Sequence, residues 1–179
     1  METEEPRSAC GNGSVLVRVA APADFPAVAR LTVAAYERDG QLKGEHGYAA
    51  VLADVAGRAA HGTVLVATDA ATGEVLGSVT FVLAGTRYAE LARPGEAEFR
   101  MLAVDPAAQG RGVGTALVRE CLTRATALGS SAVVIAVRSG FADSAHRLYQ
   151  RLGFVRVPEK DWSPLTGVDL LGLRLVLAV

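Results

Sequence analysis

Cysteine is scarce in this chain, with Cys10 in a polar N-terminal stretch and Cys121 in an amphipathic one. Two are too few for a disulfide framework, and they lack the paired spacing of a metal site. Cys121 reads as a small core residue. The three histidines, His46, His61 and His146, are scattered; there is no HExxH pair and no Gly-x-Ser-x-Gly elbow, so no metal is expected and serine-type hydrolysis has no basis. His146 is expected on a solvated helix face. No apolar run approaches the roughly 20 residues of a membrane span, and the opening METEEPRSACGNGS is acidic, without an apolar signal core. A soluble, cytoplasmic protein without a membrane partner is expected. Excess charge is missing as well: 18 basic residues face 19 acidic ones, so no global field would recruit nucleic acid.

What is present is apolar residue in quantity. Half of the 179 residues are hydrophobic, enough for one compact domain with a core. Residues 1–14 are polar and read as a disordered tail, leaving 15–179 as a single domain. Alternation from Val15 to Val19 marks a first strand, and Phe25, Val28, Leu31 and Ala35 form the apolar stripe of a first helix. A second helix is expected over Tyr48–Ala60. Two β-branched runs, Thr63–Asp69 and Glu74–Leu83, are joined by Ala-Ala-Thr-Gly as a hairpin. Residues 85–97 are too long for a hairpin loop and read as a functional lip or mobile flap. Then come a strand over Glu98–Val104, a helix over Gly112–Leu128, a strand over Ala132–Val137 and a helix over Asp143–Leu152 ending at Gly153. That alternation implies parallel pairing nearby. Strands at Phe154–Val157 and Leu170–Val176 flank a loop containing Pro and Trp. The fold class is a mixed α/β (α+β) arrangement with six to seven mostly antiparallel strands and about four helices.

The connection after the fourth strand carries the chemistry. Gln109-Gly110-Arg111-Gly112-Val113-Gly114-Thr115 places three glycines in five residues between a strand and a helix. Backbone amides there, unshielded by Cβ atoms, suit a phosphate group at the positive end of a helix dipole. A dinucleotide-binding turn requires glycine or a close substitute where Thr115 stands, and an acidic ribose partner near Val133 and Val134, where none occurs. A P-loop requires Gly-Lys-Ser/Thr, which is also missing.

This segment resembles the acyl-coenzyme A signature of the GNAT acetyltransferases. Met101-Leu102-Ala103-Val104-Asp105-Pro106 stands before it, and Ala145-His146-Arg147-Leu148-Tyr149-Gln150-Arg151-Leu152-Gly153-Phe154 follows at that superfamily's distance. The resemblance implies a GNAT-like sheet with a splayed gap between the fourth and fifth strands. It implies acetyl-CoA as co-substrate, bound by Leu102, Ala103, Val104 and the Gln109–Thr115 turn (Gln109, Gly110, Arg111, Gly112, Val113, Gly114 and Thr115). It also implies transfer of an acetyl group to an amine, small molecule or peptide, by direct attack in a ternary complex. A regulatory acyl-CoA sensor is the alternative, and dimers are common among similar proteins. Many relatives carry asparagine where this chain has Ala142.

Acyl transfer to an amine requires a base, an oxyanion site and an acid for the departing thiolate. Glu98 stands where some similar enzymes keep a base, and Tyr149 stands at the family's tyrosine position, a suitable acid when held within hydrogen-bond reach of the thiolate. The Leu102 N–H is the oxyanion donor if the strand bulges there. By alternation, Glu98 and Arg100 share one strand face, and Phe99 and Met101 the other. Tyr36, Tyr88 and Trp162, with Glu96, Glu98, Asp161 and Asp169, suggest a rim for a cationic amine.

Overall fold

The computed structural model describes residues 14–43, 47–141 and 143–178. The expected tail up to residue 13, Cys10, His46 and Ala142 lie outside the described residues. Eight strands form one sheet in the order β1-β2-β3-β4-β5-β8-β6, with β7 also pairing β8. They are β1 (Val15–Val19), β2 (Thr63–Asp69), β3 (Val75–Leu83), β4 (Glu96–Val104), β5 (Ala132–Arg138), β6 (Val155–Arg156), β7 (Trp162–Leu165) and β8 (Val168–Val176). Five helices accompany them: α1 (Phe25–Arg38), α2 (Tyr48–Ala53), α3 (Val55–His61), α4 (Val113–Ala127) and α5 (Asp143–Arg151). Every adjacent pair is antiparallel except β4 and β5. The parallel pair follows from α4, which returns the chain to the starting edge between them. The strand and helix numbers exceed the sequence expectation because β7 is a four-residue ribbon containing Pro164, and because the helix expected over 48–60 divides in two.

That division has a local cause. Asp54 leaves the helical region (φ −79°, ψ 69°), and its side chain accepts the Gly57 N–H at 2.9 Å, capping α3. Arg58, fully buried, then reaches back to the Leu52 carbonyl at 2.6 Å and donates to the Thr80 hydroxyl at 2.7 Å. One guanidinium thereby terminates α2 and ties α3 to β3.

The sheet buries both faces. Val113, Leu117, Val118, Cys121 and Ala125 of α4 pack with Leu65, Val79, Phe99 and Ile135 on one side. Val28 of α1 and Val55 of α3 cover Val64 and Val66 on the other. Leu128, the last residue of the helix expected over Gly112–Leu128, is 61% exposed beyond the end of α4, and Val118 belongs to the buried face. His146, expected to be solvated, is half-buried, and its Nε2 is enclosed without a hydrogen-bond partner.

At the start of β4, buried Glu96 accepts from Arg174 Nε at 2.9 Å, the Arg93 N–H at 3.0 Å and Lys160 Nζ at 3.3 Å. Burial would raise its carboxyl, but the Arg93 N–H, Arg174 and Lys160 outweigh that and hold it below the ordinary range. A carboxyl depressed by folding adds stability above its unfolded value of about 4.3, and that stability is lost as pH falls through the lower folded value. Urea titrations between pH 7 and pH 3 should therefore show a loss of stability on acidification that is smaller in Glu96→Gln.

Candidate active site

The sheet opens after the third residue of β4. β4 pairs with β5 only at Glu96↔Ala132, Ala97↔Val133 and Glu98↔Val134. From Ile135 onward β5 pairs with β8 alone, so the facing edge of β4 is released. On its other edge, Thr80 faces Arg100 and Ser78 faces Ala103, leaving Val79 opposite both Met101 and Leu102. This is a β-bulge, and Met101 adopts φ 57° within it. A left-handed conformation at a long side chain costs about 1–3 kcal/mol and persists where packing holds it. Met101 is 3% exposed, packed with Leu52, Val82 and Tyr88. The expected pairing of Phe99 with Met101 on one face is therefore corrected, because the extra residue breaks the alternation. Phe99 packs instead with Tyr149 and Phe154, ring centroids 5.8 and 6.0 Å away.

A groove of about 500 Å³ leads from this opening to the start of α4. Leu102, Ala103, Val104, Gln109, Gly110, Gly112, Val113, Gly114 and Thr115 all line it. Gly110 and Gly112 adopt φ +82° and +76°, and a Cβ on either would meet nothing within 4 Å, so both face open space. The N–H groups of Gly110, Gly112, Val113, Gly114 and Thr115 have no partner among the described residues, the first helical bond being Ala116 N–H to the Gly112 carbonyl. Five clustered donors at a helix start form a site for an anion. Arg111 is the exception among the residues expected here. Its guanidinium contacts Asp69 at 2.8 Å, fastening the turn to the β2–β3 hairpin, and it does not line the groove. Arg38 and Arg151 do line it; both stand on solvated helix faces in the sequence pattern, so only the fold assigns them here.

Beyond the bulge lies a second cavity, of about 400 Å³, lined by Tyr36, Gln41, Gly47, Tyr48, Val51, Glu90, Arg100, Met101, Ala136, Arg138, Trp162, Pro164, Leu165 and Leu170. Between it and the groove sits a chamber of about 50 Å³ enclosed by Phe99, Met101, Leu102, Ala145 and Tyr149 among others. Tyr36 and Gln41 line all three spaces, which are therefore neighbours along the released edge of β4.

Tyr149 is 6% exposed, and burial, with a smaller contribution from Cys121, pushes its hydroxyl well above the ordinary phenol range. Burial likewise pushes up the Tyr36 hydroxyl. Glu98 is 1% exposed and lines neither cavity nor chamber. Its Oε2 accepts the N–H groups of Glu90, Leu91 and Ala92 at 2.9, 2.9 and 3.0 Å. The loop read as a flap is thus pinned by three amides to β4. This placement counts against Glu98 as a base: Oε2 is occupied as an anchor, Oε1 is buried without a hydrogen-bond partner, and the residue lines neither the cavity nor the chamber.

The expected acceptor rim is also rearranged. Tyr88 is in the core, Glu96 and Glu98 are buried in their own networks, Asp161 pairs with Arg156 at 2.6 Å, and Asp169 accepts from Ser163. Of that set, Tyr36 and Trp162 line the cavity. Among the described residues its charged groups are Glu90, Arg100 and Arg138, which the sequence pattern did not single out. Glu90 and Arg100 form an ion pair at 2.9 Å. Among the described residues no cluster of three or more His, Cys, Asp or Glu side chains is placed to hold a metal, and no helix is long and apolar enough to cross a membrane.

Comparison with known proteins agrees with this architecture. A GNAT acetyltransferase from Kribbella flavida superposes with a TM-score of 0.65 at 29% identity, covering 91% of this chain and 98% of that one. A GNAT acetyltransferase from Brucella melitensis, in complex with acetyl-CoA, superposes with a TM-score of 0.61 at 23% identity, over 93% and 90%. Mycothiol acetyltransferase of Mycobacteroides abscessus is 44% identical over 64 residues, which are 36% of this chain and 21% of that protein. The chain spans about a fifth of the length of the curated relatives it matches. The acetyltransferase (GNAT) family profile matches residues 26–154, through the released edge of β4, the glycine turn and α5 alike, and the chain belongs to that family.

Proposed function

We propose that the protein is an N-acetyltransferase that takes the acetyl group of acetyl-CoA and passes it to the amine of a small molecule held in the 400 Å³ cavity. The observation that carries this reading is the adjacency of the three spaces: a groove with free amides, a small chamber and a cavity of small-molecule size share lining residues at the bulge, Met101 and Leu102 among them. The amides of Gly110, Gly112, Val113, Gly114 and Thr115, without partners among the described residues, suit the diphosphate of coenzyme A, with Arg38 and Arg151 adding positive charge along the groove.

In the transfer, a bond forms between the amine nitrogen and the acyl carbon while the carbon–sulfur bond breaks. The amine gives up one proton and the thiolate takes one. Leu102 N–H, at the bulge, is the donor for the carbonyl oxygen as charge develops on it. Tyr149, in the chamber, protonates the sulfur. Glu90 is the carboxylate lining the cavity, and it receives the amine's proton, directly or through water.

Purified protein given acetyl-CoA and a panel of small primary amines should release free thiol in step with acetylated amine. Coenzyme A binding without thiol release across the panel would defeat the reading. The two glutamates separate cleanly by substitution. Glu90→Gln should lower turnover by roughly 10²-fold with the fold intact, the range typical for removing a general base. Glu98→Gln, which keeps a carbonyl oxygen for the amides, should stay within a few-fold of normal turnover but lose about 1–3 kcal/mol of stability, as measured by urea unfolding.

A further inference from the structure

Arg138, the last residue of β5, is 6% exposed and forms part of the wall of both the cavity and the chamber. Its terminal nitrogens donate to two backbone carbonyls, those of Gln41 and of Lys43 (the latter at 2.7 Å), and its guanidinium stacks over the Phe141 ring at 4.5 Å. Carbonyls orient a guanidinium without neutralising it. No carboxylate lies within ion-pair distance of Arg138 among the described residues, and its Nε is buried without a partner. A buried cation without a counter-ion destabilises the fold until one is supplied. Arg100 on the same wall differs, because Glu90 pairs with it. Among the described residues, the charged groups lining the cavity thus comprise two guanidinium groups and one carboxylate, an excess of one positive charge, at Arg138.

We propose that Arg138 is the counter-ion for a carboxylate carried by the acceptor, so that the amine acetylated here belongs to an amino acid-like molecule with an apolar body. This rests on the reading of the large cavity as the acceptor site. The apolar body has a matching wall in Val51, Trp162, Pro164, Leu165 and Leu170. The acyl group of the donor is the other possible source of a carboxylate. The chamber on that side holds about 50 Å³ against about 400 Å³ for the cavity, which favours a short acyl group there and the carboxylate on the acceptor.

The test titrates the protein, saturated with coenzyme A, with pairs that differ only in the carboxylate: L-phenylalanine against phenethylamine, L-leucine against 3-methylbutylamine, and L-tryptophan against tryptamine. The carboxylated member of at least one pair should bind about 10-fold more tightly or better, as expected of a charge-assisted contact to a buried guanidinium. Arg138→Gln should reduce that ratio to about 3-fold or less, and Arg138→Lys should restore part of it. A purely structural role in holding the Gln41–Lys43 segment would weaken both members equally and leave the ratio standing, which would overturn the proposal. Equal or tighter binding of the decarboxylated amines to the unaltered protein would overturn it too, while leaving acetyl transfer intact. Binding of neither series would overturn it together with the acceptor assignment. In a second arm, succinyl-CoA replaces acetyl-CoA with the simple amines. An Arg138-dependent preference for the succinyl donor would place the carboxylate on the donor and overturn the acceptor assignment.

Discussion

Gly112→Asp should weaken coenzyme A binding by roughly 10²-fold or more in calorimetry. Gly112 is the N-cap of α4 in the left-handed conformation, with its Cα facing the open groove, where an added Cβ meets nothing within 4 Å. A carboxylate there would stand at the position proposed for a diphosphate. Two like charges about 4 Å apart at an effective dielectric near 20 repel by about 4 kcal/mol, more than enough for the predicted loss. The backbone penalty is smaller, about 1–2 kcal/mol for an L-residue in this region, so Gly112→Ala isolates it. The alanine variant should lose comparable stability but retain coenzyme A binding within about 10-fold. Near-normal binding by the aspartate variant would show that the donor's phosphates lie elsewhere.

Removing one oxygen from Tyr149 should have the largest effect on chemistry. Tyr149→Phe keeps the ring packing against Phe99 and Phe154, both at 5.8 Å between centroids, so the fold and the groove should survive. Turnover should fall roughly 10²-fold or more, the scale of lost general-acid assistance, while coenzyme A binding changes by less than about 3-fold. Unchanged turnover would remove Tyr149 from the proton path. The pH profile supplies an independent reading. Burial holds the Tyr149 hydroxyl well above the ordinary phenol range, so it keeps its proton throughout the range in which the free thiol, near pKa 8.5, ionises. Activity should therefore rise with pH as the acceptor amine loses its proton and show no decline from Tyr149 ionisation below about pH 10.

Particular residues show where sequence reading succeeds. Val15 to Val19 alternates because a strand has period two, and the stripe Val113, Leu117, Cys121 and Ala125 repeats because a helix has period 3.6; the helix stripe is buried, while on the edge strand Val15 and Val17 are partly buried and Val19 is exposed. The glycine turn was legible because a residue without Cβ is required where φ is positive, as at Gly110 and Gly112. Glu98 shows the limit. Its place on β4 was read correctly, but whether a strand carboxylate faces an open cavity or the N–H groups of residues 90–92 depends on where a loop without periodicity folds back. Met101 shows another, since one extra residue at the bulge reverses the alternation that the face assignment assumed.

The sequence by itself determined the order of strands and helices, the turn at Gln109–Thr115 and the resemblance to one family, because these depend on near neighbours along the chain. Tertiary structure alone decided which charges meet. Glu90 and Arg100 are ten residues apart and paired across a loop, while Arg138 reaches the carbonyls of Gln41 and Lys43 from the far side of the cavity. Such contacts join segments with no shared periodicity, so the acceptor side of the site exists only once the sheet has opened at the bulge.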